Sequence, residues 1–107
     1  MAEQSTATDE LVVEDNPQES RFEARLGDRI VGIAEYELPD DQGPITFTHT
    51  EVLPDVEGQG VGSRLARGAL EDVRHRGLRV VVECQFIASW VRRHHDYDDL
   101  IDAIKIG

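Results

Sequence analysis

Glu57-Gly58-Gln59-Gly60-Val61-Gly62-Ser63 is the stretch on which the reading of this chain turns. Three glycines on alternate positions leave a loop with almost no side-chain bulk, so its backbone N–H groups are able to approach and face a ligand. A helical pattern begins directly after it, at Arg64. The unpaired N–H groups of a first helical turn and the positive end of the helix dipole both favour an anion, so a phosphate or diphosphate is the expected guest. Spacing narrows the choice. A nucleoside-triphosphate loop requires Gly-x-x-x-x-Gly-Lys followed by Ser or Thr, and no Lys follows Gly62. A dinucleotide fingerprint requires Gly-x-Gly-x-x-Gly; here the third glycine comes one position early, and no strand–helix–strand partner with an acidic residue follows at the right distance.

The segments on either side define the fold class. Val61, Leu65, Ala66, Ala69, Leu70 and Val73 recur at helical spacing, which predicts a helix over about Gly62 to Arg76, with Ser63 in its first turn and Gly77 as its stop. Upstream, Arg21 to Leu26 alternates apolar and charged residues as a half-buried strand does, and Gly27-Asp28 turns it into a second strand over Arg29 to Leu38. After the turn-rich run Pro39 to Pro44 comes a third strand, Ile45 to Val52. Strict alternation there puts Ile45, Phe47, His49 and Glu51 on one face. Downstream, Leu78 to Cys84 is almost continuously apolar, as expected of a strand covered on both faces. A short helix over Phe86 to His95 and a last strand or helix over Leu100 to Ile106 complete the order. Antiparallel strands followed by a strand–helix–strand unit with parallel strands make an α/β domain with a mixed (α+β) sheet, its glycine loop at the carboxyl ends of the parallel pair.

Composition bounds the rest. At 107 residues the chain is one small domain. Residues 1–20 hold six acids and no Lys or Arg, and such a stretch predicts a mostly disordered acidic tail in front of a domain over 21–107. Leu11-Val12-Val13 are the exception there, since they are able to pair along a sheet edge. The tail lacks the basic start and long apolar run of a signal peptide, and no apolar run approaches a membrane span. A net charge of −11 argues against nucleic acid or an anionic membrane as partner; without the tail's six acids it is still −5. One cysteine excludes an internal disulfide framework and suits a reducing, cytoplasmic compartment. No metal site is expected: no Cys/His cluster has ligand spacing, and the adjacent His94 and His95 diverge on a helix.

Taken together, His49-Thr50-Glu51-Val52, the glycine stretch, Cys84-x-Phe86 and Arg92-Arg93-His94 with Tyr97 resemble the compact YjdJ-type branch of the GNAT acetyltransferase superfamily over roughly residues 21–100. The loop fits that superfamily's Gln/Arg-x-x-Gly-x-Gly/Ala motif except at its first position, Glu57. The Pro that often flanks the family's Cys is also missing, its neighbours here being Glu83 and Gln85. The resemblance implies an acetyl-CoA-dependent N-acetyltransferase in which the strands flanking the loop and helix splay apart to receive the pantetheine arm. It also implies an open acceptor site, because no helix separates the first strands. The acceptor would be an amine that no motif identifies. A coenzyme-A-binding interaction module without transfer activity is the alternative.

Candidate residues follow. Acetyl transfer requires a neutral amine, whereas a lysine-like ammonium has a pKa near ~10.4, so a base must take a proton. Glu51 and His49, at the end of the strand leading into the loop, are the candidates for that base. Cys84 would attack the acetyl group in a covalent route, helped by a nearby His49, or else serve as a small buried hydrophobe. The backbone of Gly58, Gln59, Gly60, Val61, Gly62 and Ser63 would hold the cofactor's diphosphate. Arg64 and Arg67, with Arg92 and Arg93, are candidate phosphate partners. Ser89 would line the pantetheine channel, as would Trp90, for which core packing is the stronger expectation.

Overall fold

The computed structural model describes residues 10–106. Six strands form one sheet in the order of the chain: β1 (Leu11–Asn16), β2 (Arg21–Leu26), β3 (Arg29–Glu37), β4 (Ile45–Val52), β5 (Val80–Val82) and β6 (Ile101–Ile104). The first four pair antiparallel, and β4–β5 and β5–β6 pair parallel. Helix α1 (Val61–His75) crosses from β4 to β5, and α2 (Gln85–Arg93) from β5 to β6. Short 3-10 segments at Pro54–Val56 and His95–Leu100 fill the connections. Among the described residues no helix is long and apolar enough to cross a membrane.

The core follows from the two periodicities. Val61, Leu65, Ala66, Ala69, Leu70 and Val73 form the buried stripe of α1. Phe22, Tyr36 and Phe47 form an aromatic cluster on the sheet, with ring centroids 5.5–6.4 Å apart. The amino end of α1 comes close enough to β3 that a Cβ on Gly32 would stand 3.2 Å from Val61 Cγ1. On the opposite face of the sheet, the register aligns Glu14, Glu23, Ile33 and Glu51 in one row, beside a row of Asn16, Arg21, Glu35 and His49.

Glu23 is the buried charge of that face, 2% exposed. Burial pushes its carboxyl up, but the Asn16 amide and the Arg21 and Arg25 guanidiniums outweigh burial and hold it below the usual carboxylate range. Those donors lie 2.9, 2.9 and 3.1 Å from its oxygens.

Several sequence expectations change. Leu11-Val12-Val13 do pair along the sheet edge, but the strand runs on through the acids to Asn16; residues 1–9 lie outside the described residues. Composition misled because the acids find partners: Asp15 accepts from the Tyr36 hydroxyl at 2.7 Å and from Arg76 at 3.1 Å, while Leu11 is buried. The last element is a strand. β5 is shorter than the apolar run Leu78 to Cys84, because its pairing with β4 ends at Phe47 and Val82.

Strict alternation in β4 also fails. Phe47 pairs with Tyr36 and His49 with Glu35, so Thr48 is an extra residue and β4 bulges there. Beyond the bulge, Thr50 and Val52 stand on the face of Phe47, while His49 and Glu51 turn to the other face.

Candidate active site

The bulge and the early end of β5 open the sheet. Glu83 N–H donates to Phe47 O at 2.8 Å where the pairing ends; β4 then runs on to Val52, whereas the chain after Cys84 turns into α2. A cleft of about 550 Å³ occupies this wedge. Thr50, Val52 and Val56 form one wall, Phe86, Trp90, Arg93 and His94 the other, and Glu57, Gly58, Gly60, Val61, Gly62 and Ser63 close its end. Thr50 Oγ1 lies 3.0 Å from the buried Cys84 Sγ and so joins β4 to the N-cap of α2.

The three glycines serve two purposes. Gly58 and Gly60 have φ of +85° and +82°, which other residues rarely adopt, and nothing lies within 4 Å of where a Cβ would project. Gly60 is the N-cap of α1, so the N–H groups of Val61, Gly62 and Ser63 have no intrahelical acceptor. Gly62 has a packing reason: a Cβ there would stand 2.7 Å from Phe86 Cζ. The result is a largely apolar slot ending in a glycine cradle at the amino end of α1.

Residues 21–100 match the GCN5-related N-acetyl-transferase family. The chain is a GNAT acetyltransferase. No curated protein matches it. Among solved structures, it is similar to the solution structure of a GCN5-like protein from Staphylococcus aureus, with a TM-score of 0.65 and 24% identity over 90% of this chain and 92% of that one. That likeness extends to the mixed α/β sheet and its helices. The family's co-substrate is acetyl-CoA.

Within this acetyltransferase, the predicted cofactor residues divide. Gly58, Gly60, Val61, Gly62, Ser63 and Arg93 line the cleft. Gln59 is exposed on the loop, and Ser89 and Arg92 are exposed on α2, all three outside the lining. Arg64 turns toward the sheet edge and donates to Leu11 O at 3.1 Å. Arg67 packs over Trp90, 5.3 Å from its ring centroid, and donates to the Tyr97 hydroxyl at 3.2 Å. Burial and then the hydrogen bond to Glu71 push the Tyr97 phenol above its ordinary range, so it stays a proton donor to that carboxylate.

The catalytic candidates also separate. His49 Nε2 lies 3.6 Å from Glu51 Oε2, and the bulge places both on the sheet face away from the cleft, their side chains 53% and 69% exposed. Thr50, not His49, is the side chain on the Cys84 sulfur. Glu51 lines a second cleft of about 420 Å³ on the open face, with Arg21, Ile30, Ile33, Leu53 and Pro54. Val52 borders both clefts. Thr50 and Val52 escaped the sequence reading because one extra residue in β4 exchanges its faces. His94 escaped as well. Its ring stacks on Trp90 with centroids 4.0 Å apart, and its Nδ1 lies 2.9 Å from Trp90 O, an acceptor-only group that fixes the proton on Nδ1. The spacing of Trp90 and His94 on a helix was the available signal.

Proposed function

We propose that the first cleft holds acetyl-CoA and that the chain transfers its acetyl group to an amine approaching over the open sheet face. The carrying observation is the wedge between β4 and β5, which ends at the glycine cradle and has the Cys84 sulfur directly behind its lining residue Thr50. The cradle's backbone N–H groups would hold the diphosphate. The unpaired edge of β4 beyond Phe47 would receive the pantetheine amides, bringing the thioester toward Cys84. In the covalent route the Cys84 thiolate attacks the acetyl carbon and coenzyme A leaves as its thiolate. The neutral amine then attacks the acetyl-Cys84 carbon, the acetyl–sulfur bond breaks, and the departing Cys84 sulfur takes the proton that the nitrogen sheds. In the direct route the amine attacks the donor itself, and Glu51, paired with His49, accepts its proton on the acceptor side. A soluble cytoplasmic setting with small-molecule donor and amine acceptor fits both.

Thermal unfolding with and without acetyl-CoA tests the donor site, because a ligand that binds only the folded state raises Tm. No rise with either acetyl-CoA or coenzyme A would sink the reading. Mass spectrometry of the intact protein after incubation with acetyl-CoA then separates the routes. An acetyl group on Cys84, lost in Cys84→Ala along with transfer, supports the covalent route. Full transfer by Cys84→Ala together with its loss in Glu51→Gln supports the direct one.

A further inference from the structure

Trp90 does more than fill the core. It is the chain's single tryptophan, 1% exposed, and its indole N–H donates to Ser63 Oγ at 2.9 Å. An indole N–H is a donor only, and a serine hydroxyl has one proton and two lone pairs. Ser63 therefore spends a lone pair on Trp90 and keeps its proton to give. In a helix that proton ordinarily returns to a carbonyl three or four residues back. Among the described residues the Ser63 hydroxyl makes no such return bond; its hydrogen bond there is the one it accepts from Trp90. The indole itself is held firmly: His94 stacks on it at 4.0 Å, and the Arg67 guanidinium lies 5.3 Å from its ring centroid. Ser63 and Trp90 both line the first cleft.

We propose that Trp90 is a positioning residue for donor binding. By occupying one lone pair of Ser63 it turns the hydroxyl proton into the cleft, where it joins the first-turn N–H groups on the donor's diphosphate. This rests on the reading of the first cleft as the acetyl-CoA site. The side chain of Ser63 makes the contact, and Trp90 acts through it. A tryptophan serving only as core would leave the aim of that hydroxyl to chance.

The test is a double-mutant cycle of Ser63→Ala and Trp90→Phe, which keeps an aromatic ring but removes the donor, read on coenzyme A and on acetyl-pantetheine, which lacks the diphosphate. Each single variant should weaken coenzyme A binding about tenfold to a hundredfold, the worth of one hydrogen bond to a charged group. The double variant should be no weaker than Ser63→Ala alone, and affinity for acetyl-pantetheine should not move. Wild-type coenzyme A affinity in Trp90→Phe, losses that multiply, or an equal loss with acetyl-pantetheine would overturn the proposal.

Should Trp90→Phe not fold, the single indole N–H resonance of the otherwise intact protein gives the answer by NMR. Coenzyme A should shift it, acetyl-pantetheine should not, and Ser63→Ala should speed its exchange with solvent. An indole signal indifferent to coenzyme A would sink the idea. A wild-type protein that binds no coenzyme A brings down the donor-site reading itself, whereas tight binding with unaffected variants brings down only the role of Trp90.

Discussion

Two glycines of α1, Gly62 and Gly68, show how one residue type answers to different neighbours. A Cβ on Gly62 would meet the tip of the Phe86 ring at 2.7 Å, and that ring is 37% exposed and free to swing. A Cβ on Gly68 would meet Val13 Cβ and Cγ1 at 2.8 Å, atoms fixed to the β1 backbone. Gly62→Ala should therefore leave urea-unfolding stability nearly unchanged but weaken coenzyme A binding severalfold, because the displaced ring enters the donor cleft. Gly68→Ala should lower stability by up to about 2 kcal/mol, an overpacking cost of about 1–3 kcal/mol set against the ~1 kcal/mol that alanine gains over glycine in a helix. Its coenzyme A affinity should stay that of the wild type. Equal stability in Gly68→Ala would mean that β1 does not dock on α1 as described. In the sequence all three loop glycines suit ligand approach alike, and nothing in the letters ties Gly62 to a phenylalanine 24 positions later.

Elements were legible where a single period governs them and obscure where it breaks. β2 and β4 have the predicted bounds, and α1 lies one residue from them, because alternation and the helical stripe carry the hydrophobic effect straight into the pattern. The bulge at Thr48 breaks the period without altering composition, so it transferred Thr50 and Val52 to the cleft and His49 and Glu51 to the far face with no warning in the letters. β1 was legible only in Leu11-Val12-Val13, for a different reason. Its acidic residues read as solvated, yet Asp15 is half-buried against Tyr36, whose phenol is pushed far above its ordinary range by burial first and by the Asp15 hydrogen bond second. That hydroxyl stays protonated and needs an acceptor. Asp15→Ala should cost about 1–3 kcal/mol by leaving it unsatisfied. The same change made in a Tyr36→Phe background should cost clearly less, and equal costs in the two backgrounds would show that the pair is not coupled.

At the scale of the whole molecule, charge sets how stability varies with pH. The chain carries −11 at neutral pH against an isoelectric point near 4.6, so mild acidification relieves self-repulsion across an acidic surface. Glu23 acts in the other direction. Its folded pKa is lowered from 4.5, so the folded state holds its proton less tightly than the unfolded chain does. Its contribution is therefore fully present above the unfolded value and is lost as pH falls through the folded one. Stability measured by urea unfolding should rise gently from pH 7 toward pH 5 and then drop below about 4.5, where Glu23 takes up a proton in the unfolded chain while the folded carboxylate still resists it. Glu23→Gln should cost about 3–5 kcal/mol at neutral pH, since it strands Arg21 and Arg25 beside a neutral amide. The deficit of that variant should shrink as pH falls through the acid limb, where wild-type Glu23 loses its charge as well. A deficit that stays constant from pH 7 to pH 3 would mean that packing, and not the carboxylate's charge, is what the sheet's open face requires at this position.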